Sequence, residues 1–203
     1  MIKAIIFDFG NIFINLDIDG AIQHAFEKFK IDSFSDELLA FNSLYEQGLI
    51  STEEFIEFYT ENFPNITEDE LISIWNFILK DFPKHRLEFL QQLKNNSEYK
   101  LILLSNTNEL HIDWIKNNVS FYEDFKNCFD AFYLSHEINL RKPNSNIFQF
   151  VLNQNNLKTD DCLFIDDNEE NCKAATLLGI TSWLLNPENE DVTTLFKTKS
   201  NLF

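Results

Sequence analysis

The sequence predicts an α/β protein: a Rossmann-like, doubly wound parallel sheet carrying an inserted bundle of α-helices. Short runs enriched in β-branched and aromatic residues recur near 2–8, 100–105, 128–134, 162–166 and 180–185. Helical patterns separate the last four, as βαβ units require. The roughly 90 residues between the first two runs carry almost no strand signal but several helix starts.

The first strand is Ile5-Ile6-Phe7, interrupted by Asp8. In the long interval that follows, Ser51-Thr52-Glu53-Glu54 and Thr67-Glu68-Asp69-Glu70 both have capping-box spacing. Phe55, Ile56 and Tyr59, then Leu71, Ile74, Trp75 and Ile78, recur at helical intervals. A structureless loop of that length does not fit a compact domain. Residues 16–82 are therefore expected to form a domain of about four helices, inserted into a core built from 1–15 and 83–203, with 83–95 a helix returning to the sheet. A helix over 144–155 is expected to start at Pro143, and one over 168–178 to stop at Gly179, a fitting left-handed cap residue.

Composition narrows the partners. At 203 residues and 44% apolar content the chain can bury a real core, and its 22 phenylalanines are read as core filling. With 33 acids against 16 bases the net charge is -17, which opposes binding to nucleic acid or to an anionic membrane surface. A small anionic substrate stays compatible, because a metal ion and one or two cations reverse the potential locally. Cys128, Cys162 and Cys172 are odd in number and lack a C-x-x-C pair, so buried reduced thiols in a cytoplasmic protein are expected. No apolar stretch is long enough to span a bilayer, and Asp8 breaks the first one too early for a signal peptide.

Four polar signals stand at or just beyond the ends of hydrophobic runs. They are Asp8 in Ile5-Ile6-Phe7-Asp8-Phe9-Gly10-Asn11, Ser105 in Leu103-Leu104-Ser105-Asn106-Thr107-Asn108, Lys142 in Leu140-Arg141-Lys142-Pro143, and Asp166-Asp167 after Leu163-Phe164-Ile165. Open α/β sheets bind ligands at the carboxyl ends of their strands. Three carboxylates brought together there repel unless a divalent cation holds them, and hard oxygen donors suit magnesium. Asp8 is then both a metal ligand and the candidate nucleophile, because a carboxylate can attack phosphorus. Ser105 and the backbone beyond it are candidate donors to a phosphoryl oxygen. Lys142 is the cation chosen for the transferring group, with Arg141 beside it as the alternative.

These four motifs, in this order, resemble those of the haloacid dehalogenase superfamily of aspartate-nucleophile phosphohydrolases, and the insert is similar to that family's small helical cap. More narrowly, Phe7-Asp8-Phe9-Gly10-Asn11, Leu104-Ser105-Asn106-Thr107-Asn108 and Phe164-Ile165-Asp166-Asp167-Asn168 resemble the branch containing bacterial α-D-glucose-1-phosphate phosphatases. The resemblance implies that Asp8 attacks and that the Gly10 carbonyl and Asp167 ligate Mg2+, with Asp166 supporting the metal shell. It implies that Ser105 and Lys142 hold the phosphoryl group of a small phosphorylated metabolite. Gly10, Asn11, Asn106 and Thr107 are placed on the phosphate, and Asn171 is expected to orient the metal carboxylates or waters.

Position 10 departs from the pattern. Most phosphatases of the superfamily carry there a second aspartate that protonates the leaving group; here it is Gly10. A substrate whose leaving group needs little protonation, such as a sugar-1-phosphate, would fit, as would a substitute acid (Asp17, His111 or a metal-bound water). A metal-independent 2-haloacid dehalogenase and a non-catalytic binding protein are the alternatives. The insert contains no arginine, against the first of them. Tyr45-Glu46-Gln47-Gly48 is expected to turn over the site. With only Lys28, Lys30 and Lys80 as candidate insert cations, a neutral polyol is the expected body of the substrate.

Overall fold

A computed structural model of the chain describes residues 2–96 and 99–203. Five strands, β1 Ala4–Phe7, β2 Lys100–Ser105, β3 Ala131–Leu134, β4 Cys162–Asp166 and β5 Thr181–Leu184, form one sheet. Their order is β3-β2-β1-β4-β5 and every pairing is parallel. The chain winds outward from β1 through β2 to β3, then returns to β1's other side for β4 and β5. The order reverses at β1, and a crevice at such a point receives ligands.

The central strands β1, β2 and β4 carry apolar runs because both of their faces are covered. Ile5, Phe7, Leu101, Leu103, Leu163 and Ile165 point into one layer, against α5 (Lys84–Asn96), α6 (Glu109–Asn118) and α7 (Tyr122–Lys126). Ala4, Ile6, Ile102, Leu104 and Phe164 point into the other, against α9 (Ser145–Asn155) and α10 (Glu169–Leu177). Phenylalanine does much of the filling: the Phe125 ring lies 5.0 Å from those of Phe9, Phe82 and Phe129.

Between β1 and β2 run α1 (Ile18–Phe29), α2 (Asp36–Glu46), α3 (Thr52–Asn62) and α4 (Glu68–Asn76). They enclose an apolar cluster of their own that includes Phe29, Tyr45, Phe55, Tyr59 and Leu71. Both expected capping boxes form, at Ser51 with Glu54 and at Thr67 with Glu70. Gly179, just past α10, takes φ +91.

Three boundaries differ from expectation. β3 starts at Ala131 rather than near 128: the Asp130 N–H still donates to the Leu101 carbonyl (2.8 Å), but the Leu101 N–H donates to the Asp130 carboxylate (2.8 Å), which also accepts from Lys94 (2.5 Å), in place of a backbone carbonyl. The helix expected to start at Pro143 begins at Ser145, with Asn144 as its cap residue. β1 ends at Phe7, yet its ladder continues through the Asp8 N–H to the Ile165 carbonyl (2.9 Å). A short helix, α8 (Ser135–Ile138), follows β3, and α11 (Leu195–Thr198) closes the first layer near the C-terminus.

Candidate active site

Asp8, Ser105, Lys142, Asp166 and Asp167 stand on β1, β2 and β4 or just beyond them, and on the loop before α9. Lys142 is the keystone. It is 1% exposed, and its Nζ donates to Asp8 Oδ1 and to Asp166 Oδ2, each at 2.7 Å. Burial alone would favour the neutral amine, but the Asp166 and Asp8 carboxylates hold the ammonium above its usual range. Arg141, the alternative cation, turns away: its Nε donates to Glu46 Oε2 at 2.6 Å.

The carboxylates of Asp8, Asp166 and Asp167 offer oxygens within 4.8 Å of one another. Burial is the main cause that pushes the Asp8 carboxyl up to about 7; Lys142 opposes this, and Asp166 and Asp167 add to it. Asp167 is also raised, again chiefly by burial, with Asp166 adding and an Asn11 hydrogen bond opposing. Two buried carboxylates and the half-buried Asp167 against one ammonium leave an uncompensated excess of negative charge. All-oxygen donors with that excess fit a hard divalent cation such as magnesium.

The surrounding side chains fix these groups. Asn171 Nδ2 donates to both oxygens of Asp166, at 3.2 and 3.1 Å, and the Asn168 N–H donates to Asp166 Oδ1 at 2.8 Å. Asn11, at φ 54, donates to Asp167 Oδ2 at 2.8 Å and accepts from the Leu16 N–H at 3.0 Å. The Gly10 carbonyl accepts from the Ile12 N–H at 2.6 Å, which uses one of its two lone pairs.

Asn106 was placed on the phosphate by the sequence; its side chain is instead spent on Lys142. Its Nδ2 donates to the Lys142 carbonyl and its Oδ1 accepts from the Lys142 N–H, both at 2.9 Å. Only its backbone stays available to a ligand. The Thr107 N–H donates to Ser135 Oγ at 2.9 Å, so that amide is occupied too. Ser105, 3% exposed at the end of β2, has its Oγ on the Asn106 carbonyl at a long 3.4 Å, a bond readily exchanged for a better acceptor.

Neither candidate substitute acid is free. Asp17 accepts from the Gly20 N–H at 2.9 Å and pairs with Lys80 at 3.3 Å. His111 has Nε2 3.1 Å from the Trp75 carbonyl and Nδ1 3.1 Å from Asn108 Nδ2, and burial lowers its pKa to about 4. The place of the missing acid is filled: a Cβ on Gly10 would lie 2.6 Å from Leu16 Cδ1. Lys28 and Lys30 are exposed to solvent.

The sequence singled out the insert half of the seam between insert and core, the 45–48 turn, but not the core residues that it meets. The Ser135 hydroxyl lies 2.5 Å from the Glu46 carbonyl, and Asn139 Nδ2 donates to the carbonyls of Gln47 (2.9 Å) and Gly48 (3.1 Å). Gly48, at φ +63, packs so closely that a Cβ would stand 2.0 Å from the His136 carbonyl oxygen. Asn108, fully buried, accepts from Trp75 Nε1 at 3.1 Å and from the His111 N–H at 3.1 Å. Its cap position ahead of Glu109 was visible in sequence; its Trp75 partner, in the insert, was not.

A buried carboxylate–lysine cluster at the switch point of a parallel α/β sheet marks a ligand-binding site rather than a structural feature. The chain belongs to the haloacid dehalogenase-like hydrolase family, whose profile matches residues 2–179. It is 27% identical over 197 residues to D-ribitol-5-phosphate phosphatase of Bacteroides thetaiotaomicron, covering 93% of each chain. Among solved structures, a HAD family enzyme of the same organism in its magnesium complex superposes with TM-score 0.85 at 32% identity, covering 97% of this chain and 98% of that one. The same enzyme with magnesium and inorganic phosphate gives 0.80 at 31% identity, covering 97% and 100%. A HAD-like hydrolase from Porphyromonas gingivalis shares the fold at 23% identity and TM-score 0.84, covering 98% of each chain. Among the described residues no helix is long and apolar enough to cross a membrane.

Proposed function

We propose that this hydrolase is a magnesium-dependent phosphatase that acts on a small phosphomonoester through an aspartyl-phosphate intermediate. The observation that carries this reading is Lys142, buried between Asp8 and Asp166 at 2.7 Å from each, with the Asp167 carboxylate in the same cluster. The similarity to a D-ribitol-5-phosphate phosphatase and to a structure holding magnesium and phosphate supports it.

In this reading Asp8 attacks phosphorus, the P–O bond to the leaving group breaks, and the leaving oxygen departs with the electron pair. Water then attacks the aspartyl phosphate, releasing inorganic phosphate and the Asp8 carboxylate. Magnesium, held by Asp8, Asp166, Asp167 and the Gly10 carbonyl, would neutralise charge that otherwise keeps two anions apart. Lys142 and the Ser105 hydroxyl bind phosphoryl oxygens. Asn106 sets the backbone of Lys142, Asn171 and Asn168 set Asp166, and Asn11 sets Asp167. Residues 16–82 serve as a cap over the core of 1–15 and 83–203, and close the site against water.

With Leu16 occupying the space beside Gly10, no side chain at that position delivers a proton. Leaving oxygens that depart readily are then favoured. A sugar-1-phosphate fits, because an anomeric hydroxyl is more acidic than an ordinary alcohol. The same feature favours dehalogenation, since halide leaves without a proton. The surplus of carboxylates around Lys142 weighs the other way, because a metal-free reaction has no use for it.

The test is phosphate release from a panel of sugar phosphates and simple esters, with magnesium and with EDTA, and with Asp8→Asn as control. Metal-dependent release that vanishes in the variant is expected. Full turnover by Asp8→Asn would sink the mechanism. Chloride release from 2-chloropropionate in EDTA would establish the dehalogenase instead.

A further inference from the structure

We propose that Asn11 is a positioning residue that couples the divalent-cation site to the two linkers carrying the helical insert, so that cation binding and the seating of the insert strengthen each other. The proposal rests on the reading that Asp8, Asp166 and Asp167 hold magnesium.

The chain enters α1 through residues 15–17 and leaves α4 through 77–81. These two crossings pair as a short antiparallel ribbon. The Asn15 N–H donates to the Asp81 carbonyl (2.9 Å), the Lys80 N–H to the Asn15 carbonyl (3.0 Å) and the Asp17 N–H to the Ile78 carbonyl (2.9 Å). Leu16 and Leu79 face each other between those bonds. In an antiparallel pair, residues so placed direct their own N–H groups away from the partner strand. The Leu16 N–H accordingly turns aside, and donates to Asn11 Oδ1 at 3.0 Å.

The other end of the same amide donates to Asp167 Oδ2 at 2.8 Å. Asn11 therefore joins a carboxylate of the cluster directly to the ribbon, with no residue between on either side. A side-chain amide is planar, so a rotation that keeps one of its bonds misaligns the other. Nor can the backbone follow a moving linker. Asn11 is 9% exposed, stands at φ 54, a left-handed conformation that asparagine tolerates, and its N–H donates to the Ile14 carbonyl at 2.7 Å.

The three carboxylates are not equally fixed. Lys142 holds Asp8 and Asp166, and Asn171 and Asn168 hold Asp166 as well. Asp167 is the half-buried member, and it takes its side-chain bond from Asn11. A cation that fixes Asp167 thus fixes the Asn11 plane, and through it the Leu16 N–H. Linkage is reciprocal: the factor by which a displaced ribbon weakens the cation is the factor by which the cation restrains the ribbon.

The test combines calorimetric titration with magnesium chloride and amide exchange at Asn15, Asp17 and Lys80, in EDTA and in saturating magnesium. Exchange in α3, remote from the cluster, reports general stabilisation by the bound ion. In wild type, magnesium should slow the ribbon amides about fivefold or more beyond any slowing in α3. Asn11→Gly tolerates the same φ and removes both bonds. It should bind magnesium about tenfold or more weakly, and its ribbon amides should lose the extra slowing even when saturated. Asn171→Ala loosens Asp166 without touching the ribbon, so it should also bind weakly yet keep the extra slowing at saturation. A merely structural Asn11 would change affinity and leave the saturated ribbon protected. No extra slowing in wild type, its retention in saturated Asn11→Gly, or its loss in saturated Asn171→Ala overturns the proposal. If Asn11→Gly does not fold, wild type and Asn171→Ala decide by the same criteria. Absence of magnesium binding to wild type would sink the metal reading and the proposal with it, whereas binding without the extra slowing sinks the proposal alone.

Discussion

Lowering the pH should weaken this protein through His111. The ring sits on α6, its Nε2 on the Trp75 carbonyl of α4 at 3.1 Å and its plane stacked on the Trp75 ring at 5.6 Å, so it joins the insert to the core. Burial holds its pKa near 4, with the neighbouring His136 adding and the Trp75 carbonyl opposing. In the unfolded chain the same ring titrates near 6.5. Between those values the unfolded state binds the proton and the folded state does not, so stability is complete above pH 6.5 and drains as pH falls towards about 4. The difference corresponds to at most about 3 kcal/mol, since the ring is not wholly shielded from solvent. That is a large share of a typical stability of about 5–15 kcal/mol. Asp8 works in the opposite direction: its carboxyl, held near 7, takes up a proton more readily folded than unfolded and adds stability as pH falls from 7. The comparison must therefore be between wild type and His111→Asn, in which the Asp8 part cancels. Urea unfolding of both proteins in EDTA, at about pH 7.5, 6 and 5, gives the difference curve. The wild type should lose ground to the variant at each acid step. Parallel curves would refute the claim that a buried neutral imidazole holds this seam.

Four further substitutions probe the site and the seam. Lys142→Met leaves Asp8 and Asp166 facing each other without their cation, and should destabilise the fold by about 3–5 kcal/mol, read by thermal unfolding. Added magnesium should restore part of that loss. Asn106→Ala strips both hydrogen bonds from the Lys142 backbone; we expect a drop of about 1–3 kcal/mol in stability and a higher KM for phosphate esters, measured by urea unfolding and steady-state kinetics. Glu46→Ala removes a partly exposed ion pair and should change stability by no more than about 1 kcal/mol in the same assay. Gly48→Ala is the severe seam variant, because it forces a Cβ to within 2.0 Å of the His136 carbonyl at φ +63. It should lift the α2–α3 turn off the core, detectable as faster amide exchange in 135–141.

What could be read from the sequence, and what could not, follows the range of the signals. Strand ends are local: Asp8, Ser105 and Asp166 each interrupt an apolar run, and the parallel sheet then collects them. The capping boxes at Ser51 and Thr67 are equally local, and both formed. The seam is different. Glu46 meets Arg141 and Ser135 across about 90 residues of chain, and no periodicity within one element encodes such a meeting. Asn106 illustrates a subtler failure. Its neighbour Ser105 made it look like a phosphate ligand, but an amide has a donor and an acceptor side by side, and the Lys142 peptide presents the matching pair. Only the folded loops reveal that match. Likewise Gly10 declared in sequence that an acid was missing, but not that Leu16 stands in its place.

The arrangement of cations explains why such an acidic chain can serve an anionic ester. It has two arginines, and both are used as staples. Arg86, 6% exposed, donates to the Phe13 carbonyl, to Asn15 and to Asp191, tying the exit of β1 to the C-terminal segment. Arg141 ties the core to the insert. Planar forked guanidinium groups suit such multi-point fixing, whereas a lysine delivers a compact charge at the end of a slim stem. Lys142 can therefore reach between two carboxylates where a guanidinium would crowd them. Among the described residues it is the one cation paired with this cluster. A single ammonium already shared by Asp8 and Asp166 has little charge to spare for a phosphate dianion. Phosphate affinity should consequently depend on the divalent cation rather than on Lys142 alone: inorganic phosphate should protect the protein against thermal unfolding in magnesium and fail to do so in EDTA. Equal protection in both buffers would mean that the lysine and the loop amides beyond Ser105 suffice, and that the carboxylate cluster serves some end other than holding a metal.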